Sequence, residues 1–363
     1  MKKLKSLLSL SLAAGLLATA PVAAESVVLV GGGLTRNDSE THRQIFKRRI
    51  QRRPLCIIAS AHPSPLRAMN AKVSDFERHM GARGPKFVLG LPLREESAKA
   101  TNPAVVNSFG RCGGFFFTDG DARRIYDRLM PGGKLSATTT LIRRAGRTGA
   151  VVAGTGAGAA AVADLIVTDG GSAEALAHGI AKEPTSPGLK TAPGMSFWPG
   201  VAVEVKALAE GRFGRLLVLT RASEQRLGFG IDVGTALIVD GVHGKTPRAK
   251  VYGTSQVIAV DTGDGTSPER FFLLASGDGF DLAGRRGVPH EDREAVTASG
   301  SVEPLEGPWR QDAFHRGLVE FATSVDASWK VGAGAGALEI GKGEGFRALG
   351  SEDALYAGPF EIR

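Results

Sequence analysis

Val151-Val-Ala-Gly-Thr-Gly-Ala-Gly-Ala-Ala-Ala161 decides how this chain is read. Val151 to Ala153 make an apolar strand, Gly154 to Gly156 a tight turn, and Ala157 to Ala163 a small-residue helix. In hydrolases a strand–turn–helix unit of this kind lifts a Ser or Cys at its apex, with helix-terminal N–H groups beside it to hold an oxyanion. The apex here is Gly156, which has no side chain to attack with. The same run fits a second pattern, the dinucleotide fingerprint G-x-G-x-x-A at Gly154, Gly156 and Ala159. Such a turn can accept a pyrophosphate at a helix N-terminus. The fingerprint normally opens the first βαβ unit, with an acidic strand end about 20 residues on. In this chain the run follows about the fifth strand, and Glu174 falls in a small-residue, helix-like segment. The earlier Gly31-Gly-Gly33 turn has Arg36 where a third glycine is needed.

Outward from that run, the first half alternates short apolar stretches with amphipathic ones. Strands are expected at Ser26–Val30, Leu55–Ala59, Phe87–Leu91, Gly113–Thr118 and Val151–Ala153. Helices are expected at Glu40–Gln51, Leu66–Met80, Pro103–Phe109 and Ala122–Met130. This βα alternation predicts an α/β fold, a mostly parallel sheet flanked by helices, with ligands at the carboxyl ends of the strands. In the second half Val203–Thr220 is expected to be helical. Leu227–Asp232, Ala236–Val239, Gln256–Asp261 and Arg270–Ala275 are expected to finish the sheet as antiparallel edge strands. The Gly- and Ala-rich tail from Val331 to Arg363 is expected to be an irregular or mobile arm. The expected organisation is a leader over 1–24, an α/β domain over 25–300 and a C-terminal extension over 301–363.

The leader rests on Lys2, Lys3 and Lys5, the apolar run Leu7–Ala20, and the small residues Val22-Ala-Ala24 before Glu25. It predicts export to the periplasm or beyond, with no membrane attachment after cleavage. The formal charge of +8 is a mild excess for 363 residues. Basic residues gather at Lys47-Arg-Arg49 with Arg52-Arg53, and at Arg143-Arg144 with Arg147, but interleaved aromatics are scarce. These read as solvated helix faces, not a nucleic-acid surface. Cys56 and Cys112 each border an apolar segment, which leaves a disulfide and two buried thiols both open. The seven histidines show no metal-ligand spacing, and no metal or cofactor is implied.

Three segments together carry a resemblance. Gly154-Thr-Gly-Ala-Gly158 stands against G-T-S-A-G. Phe115-Phe-Phe-Thr-Asp-Gly-Asp-Ala122 stands against an apolar strand ending in G-G-[ND]-Q. Val203-Glu-Val-Lys-Ala-Leu-Ala-Glu-Gly-Arg-Phe-Gly-Arg-Leu-Leu217, followed by Leu227-Gly-Phe-Gly-Ile-Asp-Val-Gly-Thr-Ala236, is the most specific of the three. From about Val27 to about Asp261 the chain resembles the serine peptidases of the cyanophycinase and aspartyl dipeptidase group. The resemblance implies a fold similar to class I glutamine amidotransferases. It also implies a substrate like cyanophycin, a poly-aspartate backbone bearing arginine, cut to β-Asp-Arg dipeptides by a Ser nucleophile and a His base.

Carried over residue by residue, that machinery is missing. The Ser position falls on Gly156 and the His on Lys206, in a D-Q-H-F run whose Asp and Gln fall on Glu204 and Val205. The Gln of G-G-[ND]-Q falls on Ala122. A lysine is ordinarily protonated near neutral pH and accepts no proton there. Arg212, Arg215, Asp121 and Glu204 remain as the substrate-binding set that the resemblance implies, with Glu204 and Glu210 the alternative partners of the two arginines. Glu204 and Lys206 flank Val205 and are expected to form a structural ion pair. Of the other candidate nucleophiles, Thr155 lies one residue from the apex, Ser60 is followed by His62 after the second strand, and Cys112 precedes its own strand at the opposite end of the sheet. The expectation is an inactive homologue that binds cyanophycin or an aspartyl-arginine peptide, or pairs as a homodimer or heterodimer with an active paralogue. Its alternatives are a hydrolase with an unrecognised nucleophile and a dinucleotide-binding protein.

Overall fold

The computed structural model describes residues 25–81, 84, 88–91, 103–351 and 354–363; the expected leader, 1–24, lies outside them. The chain begins with β1 (Ser26–Val30), α1 (Ser39–Lys47), β2 (Leu55–Ile58), α2 (Pro65–Met80), β3 (Val88–Leu91), α3 (Pro103–Gly110) and β4 (Gly114–Phe117). It continues through α4 (Ala122–Leu129), α5 (Ala137–Arg147), β5 (Val151–Thr155), α6 (Ala157–Ala160), β6 (Leu165–Asp169), α7 (Ser172–His178), β7 (Lys190–Pro193), β8 (Val201–Val205) and α8 (Phe213–Ala222). Then follow β9 (Leu227–Ile231), β10 (Thr235–Asp240), β11 (Arg248–Gly253), β12 (Val257–Asp261), β13 (Glu269–Leu274), β14 (Gly279–Asp281) and β15 (Arg286–Val288). The last elements are α9 (Ala313–Thr323), β16 (Ser328–Val331), β17 (Leu338–Leu349) and β18 (Tyr356–Ile362).

The larger sheet has the order β15-β14-β11-β10-β1-β5-β4-β2-β3. The strands from β1 to β3 in that order run parallel. The remainder extend the sheet antiparallel beyond β1. Its parallel strands are apolar apart from Ser26 and Thr155 at their ends, because both faces are covered, as such sheets require. Val28, Ile57, Phe116 and Ala153 face α1 and α2, against Ile45, Met69 and Phe76. Leu29, Cys56, Phe115, Phe117 and Val152 face the other way, into a core shared with α4, α5 and the second sheet. Local signals set the helix starts. Asp121 accepts the Arg123 N–H at the N-cap of α4 (2.8 Å), and Ser136 accepts that of Thr139 at the N-cap of α5 (3.1 Å).

The α/β expectation holds, with two corrections in the second half. First, Val201–Val205 is a strand, not part of a helix; the helix begins only at Phe213. Val at every second position suits a pleated, buried strand better than a helix, and β8 pairs in parallel with β9. Secondly, β9, β12 and β13 do not edge the first sheet but belong to another, β16-β17-β18-β13-β12-β9-β8. The tail is not an irregular arm. Trp329, Val331, Ile340, Ala357 and Phe360 are buried against α8 and α9 on the outer face of that sheet. The Gly-rich composition hid this, because β17 carries a bulge between Lys342 and Arg347 that the glycines around it accommodate. The structure joins Cys56 to Cys112 in a disulfide.

Candidate functional site

Strand register assembles the site. β4 and β5 pair in parallel with Phe117 opposite Gly154. The residues two further along each strand, Asp119 and Gly156, therefore leave the sheet side by side. Gly156 is the N-cap of α6, with φ 52° and ψ −123°, a region that strains any residue with a Cβ. Its N–H donates to the carbonyl of Val30 (2.9 Å), which fixes the apex against β1. Gly154 and Gly158 let the strand and helix close up: a Cβ on Gly154 meets the Gly158 carbonyl carbon at 2.4 Å, and one on Gly158 meets the Phe117 carbonyl oxygen at 2.6 Å.

The space above Gly156 is filled from the neighbouring strand. Asp119 Oδ1 accepts the N–H groups of Gly120 (2.7 Å) and of Ala157 (2.9 Å). A phosphate approaching this turn meets a carboxylate already seated there, and the helix behind it is a single turn of four residues. The dinucleotide reading of the glycine run therefore fails: the turn offers no free anion cradle.

A cavity of about 120 Å³ opens beside the elbow, lined among others by Asp119, Ala122, Glu204, Lys206, Arg212 and Arg215. It adjoins a wider cleft of about 550 Å³ that reaches Asp121, Asp169 and Glu174. Glu204, buried near the end of β8, is held by Arg215 (Nε to Oε2, 2.9 Å) and by Arg212 (Nη1 to Oε1, 3.4 Å). Arg212 also pairs with Glu210, and Lys206 Nζ lies 3.2 Å from Glu210 Oε1. The expected Glu204–Lys206 pair does not form. The chain turns at Lys206, whose φ is 57°, and the lysine finds Glu210 while both arginines converge on Glu204. Burial pushes the Glu210 carboxyl up, but Arg212 and Lys206 outweigh it and leave the group below the ordinary carboxylate value.

Asp121 is tied to the start of α4 as its cap, 4.0 Å from Arg124 Nε. Ala122 is the first residue of that helix and brings no polar atom to the cavity it lines. Ser60 and Thr155 are buried, their hydroxyls have no hydrogen-bond partner among the described residues, and neither lines the cleft. His62 turns to the Ser64 backbone instead of to Ser60. Cys112 is in the disulfide at the far end of the strands. Among the described residues no cluster of His, Cys, Asp and Glu could hold a metal ion, and no helix is long and apolar enough to cross a membrane.

Two residues of the site escaped the sequence reading. Asp119 is one; counting back from Ala122, the G-G-[ND]-Q motif sets a glycine at its position, which was a visible signal. Asp232, at the end of β9, is the other. Its Oδ1 accepts the N–H groups of Leu208 (3.2 Å) and Ala209 (2.9 Å), and its Oδ2 the hydroxyl of Ser255 (2.7 Å), so it holds the turn that presents Lys206.

No family model matches the chain. It is similar to the cyanophycinase of Nostoc sp., at 29% identity over 290 residues, covering 74% of this chain and 90% of that one. It is equally similar to the cyanophycinase of Trichormus variabilis, at 29% identity over the same shares. In fold it is similar to a peptidase from an acI-B1 actinobacterium, with a TM-score of 0.52 at 17% identity, over 72% of this chain and 98% of that one. An elbow-like turn at the carboxyl end of a parallel sheet, the motifs around it and these matches agree: in sequence the chain is similar to cyanophycinases, and in fold to a peptidase.

Proposed function

We propose that this chain is an exported, catalytically silent cyanophycinase homologue whose cleft binds cyanophycin or an aspartyl-arginine peptide. The observation that carries the reading is Gly156: the apex of the elbow has the strained backbone of a nucleophile position and no attacking atom. Loss of a triad nucleophile costs on the order of 10⁶ in kcat. Among the described residues no neighbour compensates for it: Lys206 is paired with Glu210, and the Ser60 and Thr155 hydroxyls are buried away from the cleft. The cleft keeps both charge types that a β-Asp-Arg unit needs, Arg212 and Arg215 toward carboxylates and Asp121 toward a guanidinium. Export rests on the leader residues Lys2 to Ala24, and the Cys56–Cys112 bond supports it, because such bonds persist in oxidising compartments.

Calorimetric titration with β-Asp-Arg and with cyanophycin, beside a hydrolysis assay, tests the reading. Binding heat with no released dipeptide is the expected result. Dipeptide release lost in Ser60→Ala would replace it with an active enzyme of unusual nucleophile. No binding to either ligand would leave a scaffold for pairing with an active paralogue, visible as a heterodimer by gel filtration.

A further inference from the structure

We propose that Asp119 is a built-in stopper of the elbow, so that two positions, 119 and 156, jointly keep the site silent. The inference rests on reading the turn as a silent elbow, and adds to it that replacing the missing nucleophile is not enough. A Cβ built on Gly156 falls 1.9 Å from Asp119 Oδ1, 2.1 Å from its Cγ and 2.4 Å from Oδ2. No real side chain tolerates such contacts, so a residue larger than glycine at 156 displaces the Asp119 carboxylate or shifts the turn.

Charge reinforces the block. The Ala157 N–H is the amide after the apex, the donor that in a working elbow faces the developing oxyanion. Here it is taken by Asp119 Oδ1, along with the Gly120 N–H. A carboxylate oxygen thus occupies the place where the oxyanion must form. Gly32, just after β1, also faces the carboxylate: a Cβ built there would stand 3.7 Å from Asp119 Oδ2 and 3.1 Å from Lys206 Cε.

The test uses full-length chains carrying Gly156→Ser with Lys206→His, in three forms: Asp119 kept, Asp119→Gly and Asp119→Asn. The probe is a fluorophosphonate, read by intact mass. In labelling, the introduced hydroxyl attacks phosphorus, its proton passes to the introduced imidazole, and fluoride leaves. We expect adduct in the Asp119→Gly form about 10²-fold faster than in the form with Asp119 kept, the scale of an oxyanion donor regained. The Asp119→Asn form should stay slow, because the amide retains the volume. Equal rates with Asp119 and with Gly at 119 would overturn the proposal. A second readout needs no chemistry: Gly156→Ser alone should lower the melting temperature by at least about 3 °C more in the Asp119 background than in Asp119→Gly. Equal drops would also overturn it. Dipeptide release by the unaltered chain would end the silent reading yet leave this coupling intact, since the melting comparison does not depend on activity.

Discussion

Glu204 and Arg215 tie β8 to α8 through one buried ion pair, Oε2 to Nε at 2.9 Å, with Arg212 on the other carboxylate oxygen. Removing one partner of such a cluster strands the rest, which costs more than the cluster contributes. Glu204→Gln should therefore lower the unfolding free energy by about 3 kcal/mol, measured by urea denaturation. A change below ~0.5 kcal/mol would mean that solvent already screens the pair.

His42 lies fully buried between Phe76 and His79. Its Nδ1 bonds the Asp38 carbonyl (2.8 Å), and its Nε2 has no partner among the described residues. Burial pulls its pKa from 6.5 down to about 4. The folded state thus binds fewer protons than the unfolded one between those values. Stability is full above about 6.5 and falls as the pH drops toward 4, by roughly 2–3 kcal/mol in all. His42→Asn should remove this contribution, read in melts across the range.

Glu25 carries the opposite sign. Burial raises its carboxyl from 4.5 to about 7, although Arg147 and Arg143 pull it down. Here the folded state binds more protons, so stability falls as the pH rises from 4.5 through 7, by about 2 kcal/mol. Glu25→Gln should make the protein more stable at pH 8 by about that much. The two slopes overlap between 4.5 and 6.5 and oppose one another. The unaltered chain should look flat there, and each single substitution should uncover the slope of the other residue.

The Cys56–Cys112 bond closes a loop with a sequence separation of 56. Reduction, or Cys56→Ala with Cys112→Ala, should cost about 2–4 kcal/mol, seen as a lower melting temperature in dithiothreitol. A chain whose melting point ignores the reductant would mean that the loop is held by its packing alone.

Much of the fold was legible from local pattern. Apolar runs such as Val27–Val30 and Phe115–Phe117 announce strands buried on both faces, and the glycine turns after β1 and β5 announce the ligand edge. Val201–Val205 misled because its alternation is short and the family motif that follows it does hold a helix, only later. β16 to β18 were hidden by glycine and alanine, since their strand character comes from pairing with β13 and not from propensity. The site was half visible. Gly156, Lys206 and Ala122 could be read from motif positions, but the reach of Asp119 across to the elbow depends on the Phe117–Gly154 register, which no local window contains.

β18 lies between β17 and β13 and not at a rim of its sheet. A chain cut just before Tyr356 leaves β13 exposed and β17 without a neighbour on that side. A chain truncated there should therefore be insoluble and not a shortened working form.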